Sequence, residues 1–419
     1  MVAGLTATWH HKLDEIAPEQ WDALVNASGG GSPFLRHAWL SALDRTGCAS
    51  PESGWHPRFL TLVDAQGQVQ AACPLYLKDH SWGEYVFDWA WADAYNQQLA
   101  TPGHSYYPKL VSALPFSPIP GPRFLVSATL LGEQGAQAIT RMLHEITRAC
   151  EQHHWSSAHA LFLPKDQAQI AQDRGWLVRQ GVQFHWQNRE GRPFVDFEDF
   201  LSDMQRDKRK KIKQERRKVQ EAGITFDVLD GEQITESHWD FFYRCYAQTY
   251  LERRQTPYLS RAFWAEVAHT LPESWALVIA SDRLHQPIAC ALLAVDRQHG
   301  AVYGRYWGSV QNVSCLHFET CYYQPLQWCM EQGFQRFEGG AQGEHKLARG
   351  LLPVSTYSAH WLPHEGFRQA VARFLRREDS GMSAYLDELD ERAPFKAPFN
   401  ALTTMPTNTP PAGPMSEPA

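Results

Sequence analysis

The sequence predicts an α/β protein of the α+β type, with mixed, mostly antiparallel sheets flanked by helices. Three observations support this class. Hydrophobic residues make up 43% of the 419 residues, which excludes disorder for most of the chain. Strand-like runs bounded by turns alternate with segments of helical periodicity. The order of helices, hairpin, strand, helix and strand also occurs once in each half, and each copy is far longer than the ~20–50 residues of a solenoid repeat.

The first half is predicted to contain a short helix, a capped helix, a β-hairpin, an aromatic strand, a long helix and a buried strand. Ser32 and Pro33 stand at the cap and first position of the second helix, places that Ser and Pro favour. The predicted bounds are 18–25, 32–43, 58–64 with 69–78, 85–92, 133–153 and 157–163.

The second half is predicted to contain a strand, two helices, a hairpin, a strand, a helix and a final strand. Ser260 is the predicted cap of the second of these helices. Pro325 lies inside the third helix and predicts a kink or a delayed start, because proline lacks the N–H donor. The predicted bounds are 224–229, 236–253, 260–271, 275–281 with 287–296, 301–309, 314–332 and 334–338.

These elements indicate three regions. Residues 1–195 form a predicted N-terminal domain, and residues 196–380 form a C-terminal domain that opens with a basic helix. Residues 381–419 form a proline-rich tail that we expect to be disordered, because its composition cannot bury enough apolar surface.

The chain has neither a run of about 18–20 apolar residues nor an N-terminal signal-peptide pattern, so we expect a cytoplasmic protein without a membrane span. The eight cysteines include no C-x-x-C pair, which favours buried thiols and no metal site.

The sequence does not indicate an oligomeric state. A net charge of −7 argues against a general nucleic-acid coat.

A local exception to this acidity lies at residues 206–218, which hold nine basic and two acidic residues. The spacing of Ile212 and Val219 predicts a helix with a narrow apolar seam and a cationic surface. Such a surface is either an ordinary solvated face or a site for a polyanion, with Arg209, Lys210 and Lys213 as candidates. Coenzyme A phosphates, a phosphorylated lipid precursor and tRNA all fit that description.

The strongest site signal is the segment 338–350, which follows a predicted buried strand. It holds four Gly, two carboxylates, one His, one Lys and one Arg. Nearby, Gly304 and Gly308 interrupt the strand 301–309, and glycine within a strand often marks a bulge or a close backbone approach. We interpret these segments as lining a site, with a structural turn as the alternative.

Several known motifs are absent. The segment 339–346 lacks the G-x-x-x-x-G-K-[ST] pattern of a phosphate loop. His317 and Glu319 match the start of a zinc-deaminase signature, but no P-C-x-x-C follows. Neither G-x-S-x-G nor a G-x-G-x-x-G after a strand occurs. These absences disfavour hydrolase, kinase and dehydrogenase functions.

Taken together, the motifs resemble those of the FemAB-like predicted N-acyltransferases, a branch of the GNAT-like acyltransferase superfamily related to Fem peptidoglycan transferases. The resemblance covers about residues 30–380, and the basic helix also resembles a helix of the Fem enzymes. The motifs that carry it are YYPKL at 106–110, PF at 115–116, PGPR at 120–123, GRYWG at 304–308, LHFE at 316–319, CYY at 321–323, GGAQGEHK at 339–346, ARG at 348–350 and SAHW at 358–361.

The resemblance implies two tandem GNAT-like domains and transfer of an acyl or aminoacyl group to an amine. The chain lacks the Q/R-x-x-G-x-G/A loop of acetyltransferases, so the donor stays open between acyl-CoA and an aminoacyl-tRNA. The implied acceptor is a small-molecule amine or a peptidoglycan precursor, with tRNA as a further partner. A non-catalytic module that recognises a cell-wall precursor or RNA is the alternative.

The chemistry of amide formation suggests roles for single residues. A carboxylate or histidine must remove the amine proton, and the candidates are Glu319 and Glu344, with His317 and His345 as alternates. Structural salt bridges are an equally open explanation for these residues. The predicted substrate-binding residues are Arg305, Trp307, Lys346 and Arg349, with Tyr107, Lys109 and Arg123 expected at a cleft between the domains.

Overall fold

A computed structural model describes residues 2–29, 32–102, 104–130, 132–340 and 343–396. The helices are α1 Pro18–Ala27, α2 His37–Arg45, α3 Trp89–Gln98, α4 Glu133–His153, α5 Lys165–Asp173, α6 Phe197–Ser202, α7 Arg206–Glu221, α8 Glu236–Leu251, α9 Arg261–Thr270, α10 Leu316–Phe318, α11 Gln324–Glu331 and α12 Glu365–Glu391.

The strands are β1 Thr6–His10, β2 Trp55–Pro57, β3 Phe59–Val63, β4 Val69–Cys73, β5 Tyr76–Lys78, β6 Lys109–Ser112, β7 Leu125–Val126, β8 Ala158–Leu163, β9 Leu177–Gln187, β10 Thr225–Asp230, β11 Trp275–Ser281, β12 Pro287–Asp296, β13 Ala301–Ser309, β14 Arg336–Glu338 and β15 Leu352–Trp361.

The predicted fold class is confirmed. A four-stranded sheet has the order β1-β3-β4-β7, and an eleven-stranded sheet has the order β10-β11-β12-β13-β14-β9-β15-β8-β6-β5-β2. Strand pairing is antiparallel except for β13 with β14 and β6 with β8. Both predicted hairpins are present, as β3 with β4 and as β11 with β12.

The large sheet has a repeated order about its centre. Each half of the chain contributes one parallel pair, β6 with β8 and β13 with β14. The next strand in the sheet is antiparallel and comes from the other half of the chain, so that β14 pairs with β9 and β8 pairs with β15. The two exchanged strands, β9 and β15, then pair with each other over nine positions. The repeated order agrees with a duplication. The exchange, however, means that both halves build one continuous sheet, so the division into 1–195 and 196–380 stays a prediction.

The halves also share an aromatic core. Trp39 of α2 contacts Phe263 of α9 with ring centroids 4.8 Å apart, and it lies 5.5 Å from Trp275 of β11. All three rings are fully buried. Since burying apolar side chains is the main favourable term in folding, this shared core ties the first half firmly to the second.

Two predicted elements are wrong. Residues 85–92 were expected as a strand, but α3 begins at Trp89. Helical spacing explains the difference, because Trp91 and Tyr95 are four residues apart and both pack on α12 through Phe374 and Phe367. The aromatic residues at the start of the segment 85–92 favour a strand when they are considered without their contacts to α12.

The predicted disordered tail also begins too early. The helix α12 continues to Glu391, well past residue 380. Leu389 is fully buried and Phe395 is 5% exposed, both in the core that surrounds α7 and α11. Apolar residues at the end of α12 therefore contribute to the core. The rest of the predicted tail, 397–419, lies outside the described residues.

The predicted helix 314–332 is present but contains a π-helical turn, Glu319–Tyr323, between α10 and α11. Pro325 lies in the first turn of α11, where its missing N–H costs nothing. The π-helical turn before Pro325 delays the start of the regular helix α11, as the position of the proline in the sequence predicted. Single π turns inside helices occur frequently at functional sites.

Candidate active site

The candidate site begins where β13 and β14 separate. The two strands pair in parallel at three positions, the last being Tyr303 opposite Glu338. Beyond this point β13 continues along β12 as far as Ser309, whereas the chain after β14 turns away through Gly339 and Gly340. The divergence of two neighbouring strands leaves a gap at their carboxyl ends.

A β-bulge lies at the mouth of this gap. On β12, Leu292 faces Tyr306 and Leu293 faces Gly304, so Arg305 is an extra residue without an opposite partner. A bulge disrupts the ladder and redirects the residues around it, and bulges are frequent beside active sites. The predicted special role of the glycine-flanked segment 304–308 is consistent with this geometry.

Two glycines of β13 allow close packing beside the gap. A Cβ atom at Gly308 would lie 2.1 Å from the backbone oxygen of Cys245. A Cβ atom at Gly304 would lie 2.6 Å from the ring of Phe337. Both positions therefore require glycine because α8 and β14 approach the backbone of β13 too closely for a side chain.

Two cations flank the gap. A Cβ atom at Gly340 would have the Nη1 atom of Arg305 at 3.9 Å and the Nζ atom of Lys346 at 4.0 Å. Arg305 donates to the backbone oxygen of Phe116 at 2.9 Å, and Lys346 donates to that of Gly340 at 2.9 Å. Burial, followed by repulsion from Arg305, lowers the pKa of Lys346 to about 8. The structure thus brings together two of the predicted binding residues.

Two histidines form an aromatic group next to these cations. The ring of His317 lies 5.2 Å from that of Trp307 and 6.3 Å from that of His345. Nε2 of His345 is 3.1 Å from the hydroxyl of Tyr322. Burial, with the nearby cations, lowers the pKa of His317 to about 4, and partial burial and Arg349 lower the pKa of His345. Both rings are therefore neutral near pH 7 and able to accept a proton.

Glu338, the last residue of β14, is a site candidate that the sequence reasoning did not name. Its side chain is 1% exposed, and one carboxylate oxygen lies 3.1 Å from Nε of Arg336. Burial raises the pKa of Glu338 to about 7 in spite of Arg336 and Arg305. The sequence indicated it only as one of the two carboxylates in the segment 338–350.

The two predicted carboxylate bases pair with other cations, Arg216 and Arg392. Glu319 is 3% exposed and accepts from Arg216 at 3.1 Å and from Gln324 at 2.7 Å. Glu344 is exposed and accepts from Tyr385 at 2.8 Å and from Arg392 at 3.3 Å. Among the described residues, neither predicted base forms an ion pair with Arg305 or Lys346. Each carboxylate has a structural partner distant in sequence.

Arg349 also has a structural role in place of the expected free cation. Its Nη2 donates to both carboxylate oxygens of Glu215 in α7, at 2.9 and 3.0 Å. Its guanidinium lies 3.4 Å above the ring of Phe318. This buried pair fixes the segment after β14 on the basic helix, so Arg349 positions the site and does not reach into the gap.

Three predicted cleft residues of the first half have mainly local partners. Lys109 is fully buried and donates to Glu84 at 2.8 Å and to Asp88 at 2.5 Å. Arg123 is also fully buried and donates to backbone oxygens, including that of Ile119 at 2.6 Å. Tyr107 is half-buried, with its hydroxyl 2.9 Å from that of Ser81. Lys109 is thus a structural cation, which corrects its expected placement at the cleft. Arg123 lines a cavity of about 250 Å³ together with Asp296 and Tyr303 of the second half, so its placement at a cleft between the domains stays a prediction.

The basic helix α7 has the predicted amphipathic form. Ile212 and Val219 are 1% exposed and face the core. Arg206, Lys210 and Arg217 are exposed, lie on the opposite face at spacings of four and seven, and have no ion pair among the described residues. Arg209 likewise has no ion pair in that part of the chain, whereas Lys213 pairs with Glu198 at 2.6 Å. We call this exposed face the basic stripe.

No group of three His, Cys, Asp or Glu side chains within the described ranges is placed to share a metal ion. None of the helices in the described part of the chain has the length and apolar character needed to cross a membrane.

A family model described as peptidoglycan biosynthesis/recognition matches residues 12–397. The chain belongs to the FemAB-like family. No curated protein matches its sequence.

Solved structures with a similar fold include L-PGS from Bacillus licheniformis, with a TM-score of 0.50 and 12% identity over 86% of this chain and 97% of that one. A domain of a putative lysylphosphatidylglycerol synthetase from Agrobacterium fabrum has a TM-score of 0.49 and 9% identity, covering 86% and 96%. A tandem GNAT protein from the clavulanic acid pathway has a TM-score of 0.43 and 10% identity, covering 85% and 98%. At 12% identity, the likeness to L-PGS concerns the fold alone.

Proposed function

We propose that this FemAB-like protein is an N-acyltransferase whose activated donor enters the gap between β13 and β14. The observation that supports this proposal is the separation of the two strands after Tyr303 and Glu338, with the bulge at Arg305 at its mouth. Membership of a family described by peptidoglycan biosynthesis/recognition favours a peptidoglycan precursor or another amine as acceptor.

In the proposed reaction, the neutral amine nitrogen attacks the acyl carbonyl carbon. A C–N bond forms, and the C–S bond of a thioester or the C–O bond of an aminoacyl ester breaks. The bulge removes Arg305 from regular pairing with β12. Its backbone N–H is therefore our candidate for stabilising the oxyanion, since a fixed donor aimed at developing charge is worth several kcal/mol.

The proton of the attacking amine needs an acceptor near the gap. His345 is our first candidate because it is exposed, neutral and next in sequence to Lys346. His317, between Trp307 and His345, is the second. Glu338 lies at the gap but is almost fully buried beside Arg336, while Glu319 and Glu344 are engaged by other side chains. The departing thiolate or ribose oxygen takes up a proton in turn.

The nature of the donor follows from the cations. Lys346 and Arg305 flank the gap and suit the phosphates or carbonyl of a donor such as acyl-CoA. The basic stripe on α7 suits the longer phosphate backbone of an aminoacyl-tRNA. Both donors therefore belong in the first assay.

The test is a search for a new amide bond. The purified protein is incubated with a mixture of acyl-CoAs, or with charged tRNA, together with a pool of amine acceptors, and products are identified by mass spectrometry. His345→Gln should lower kcat on the order of 10²-fold or more with little change in the KM for the donor, as expected for loss of a proton acceptor. Lys346→Met should chiefly raise the KM for the donor.

A matched control is His269→Gln, which changes an exposed histidine at the end of α9. It should leave both constants unchanged. Absence of any amide from every donor would contradict the proposal and favour a non-catalytic binding module.

A further inference from the structure

A cavity between the two halves opens beside the bulge. It has a volume of about 390 Å³, and eight of its 13 lining residues are aromatic. The first half contributes a loop that includes Trp82 and Tyr85, and the second half contributes the end of α8 and residues 305–307 of β13. The cavity is therefore adjacent to the gap proposed for the donor, and Arg305 and Trp307 belong to both.

The charged residues that line this cavity are all positive. Its lining contains Arg253 and Arg305 and no Asp or Glu. Arg253 is exposed, and its side chain has no hydrogen bond or ion pair among the residues that the structure describes. The guanidinium of Arg305 donates to the backbone oxygen of Phe116 and lies 5.4 Å from the ring of Tyr306 and 5.9 Å from that of Tyr85. Two guanidinium groups in a lining without a carboxylate favour an anionic ligand that accepts hydrogen bonds.

A second cavity adjoins the first and has the opposite character. It measures about 580 Å³ and shares Trp82, Gln255 and Tyr258 with the first cavity. Its lining contains no Asp, Glu, Lys or Arg. The rings of Phe116 and Tyr258 stack along its wall with centroids 4.7 Å apart. We call the two spaces the cationic cavity and the neutral cavity.

We infer that the two cavities together hold an acceptor amine that is also an amphiphilic anion. Its carboxylate or phosphate binds Arg305 and Arg253, and its apolar or ring-shaped body lies in the neutral cavity. This inference rests on the proposed function for its amine, and it adds the chemical class of the acceptor. Guanidinium groups match carboxylate and phosphate oxygens in geometry as well as in charge.

The same cations explain how the amine becomes reactive. Arg305 lines the cationic cavity, and its Nη1 atom and Nζ of Lys346 lie 3.9 and 4.0 Å from the position of a Cβ atom at Gly340, beside the gap. A positive surrounding disfavours an ammonium ion and favours the neutral amine, which is the nucleophile. The anionic group of the acceptor is attracted to these cations and lies at a distance from the amine. The acceptor can therefore bind while its amine stays neutral.

The test uses three probes with the same tail and different head groups: octyl phosphate, octanoate and octyltrimethylammonium. Isothermal titration calorimetry on the full chain measures each affinity without any acyl donor. At least one anion should bind about tenfold or more tightly than the cation, as expected for charge-assisted hydrogen bonds. Whichever anion binds better identifies the head group. Octyl phosphate should also bind at least about tenfold more tightly than butyl phosphate, because the longer tail fills the neutral cavity.

Variants locate the binding. Arg253→Gln and Arg305→Gln should each weaken the preferred anion about tenfold. Arg244→Gln, an exposed change in α8 outside the lining of the cavity, should have no effect. Since Arg305 also holds the backbone at Phe116, Arg253→Gln is the safer variant for folding.

Equal affinity for all three head groups, or an anion affinity unchanged in Arg253→Gln, would overturn the inference. The result is separate from the proposed function, since acyl transfer is measured in a different assay. If the protein forms amides but binds the cationic probe more tightly than the anions, the proposed function stands and the inferred acceptor class is wrong.

Discussion

Replacing Lys109 by Met tests whether the buried cluster around it supports the fold, as the structure indicates. The Nζ atom donates to Glu84 at 2.8 Å, Asp88 at 2.5 Å and Ser81 at 2.8 Å, and Lys109 is fully buried. Methionine has a similar volume but no charge. The substitution leaves two carboxylates, each about 3% exposed, without their shared cation.

Removing one partner of a buried ion pair costs about 3–5 kcal/mol, because the remaining charge is uncompensated. We expect a loss in this range in the free energy of unfolding at pH 7, measured by urea denaturation. Burial already raises the pKa of Glu84 to about 7. Without Lys109 it should rise further, and the variant should take up a proton near neutral pH.

A triple variant separates the charge effect from packing. Lys109→Met with Glu84→Gln and Asp88→Asn removes the charge of all three hydrogen-bonded groups, so it should lose less stability than Lys109→Met alone. A loss below about 1 kcal/mol in the single variant would refute the structural role of Lys109. A triple variant less stable than the single one would refute the electrostatic explanation.

Three further predictions follow from other parts of the molecule. Lys210→Glu with Arg217→Glu should weaken tRNA binding in a filter-binding assay, most strongly at low salt, and an unchanged affinity would make the basic stripe a solvated face. Deleting residues 381–419 should lower the melting temperature by several degrees, because Leu389 and Phe395 are buried, and an unchanged value would contradict this packing. Burial lowers the pKa of Lys346 from 10.5 to about 8, so the unfolded chain binds this proton more tightly. The stability of the wild type relative to Lys346→Met should therefore rise between about pH 8 and 10.5, by up to a few kcal/mol, and a flat difference in denaturation would contradict the burial.

The elements that the sequence predicted well depend on local signals. The bounds of α4 agree with the prediction because apolar residues recur regularly through it. Ser260 caps α9 as expected, with its side chain accepting from the N–H of Phe263. Turns, caps and periodicity are encoded within a few residues of each other, so they can be predicted from one stretch of chain.

The features that the sequence did not predict depend on distant partners. The exchange of β9 and β15 joins residues 167 to 183 positions apart, and neither strand was identified. Glu319 is a carboxylate of the kind that serves as a catalytic base, but its side chain accepts a hydrogen bond from Arg216 of α7, which lies 103 positions away in the sequence. Lys109 was expected at a cleft between the domains, but Glu84 and Asp88, more than 20 positions away, hold it in the interior. Its burial follows from partners that only the folded chain brings together.

The placement of the donor is the central claim, and photo-crosslinking tests it most directly. A donor with a diazirine in its acyl chain is bound to the full-length protein, irradiated, and mapped by peptide mass spectrometry. Labels should fall on β13 and on residues 338–350, and excess unlabelled donor should suppress them. The first half has a corresponding parallel pair, β6 with β8, that ends at Ser112 and Ala160. Labels confined to the segments after those residues, with none on β13, would contradict the account.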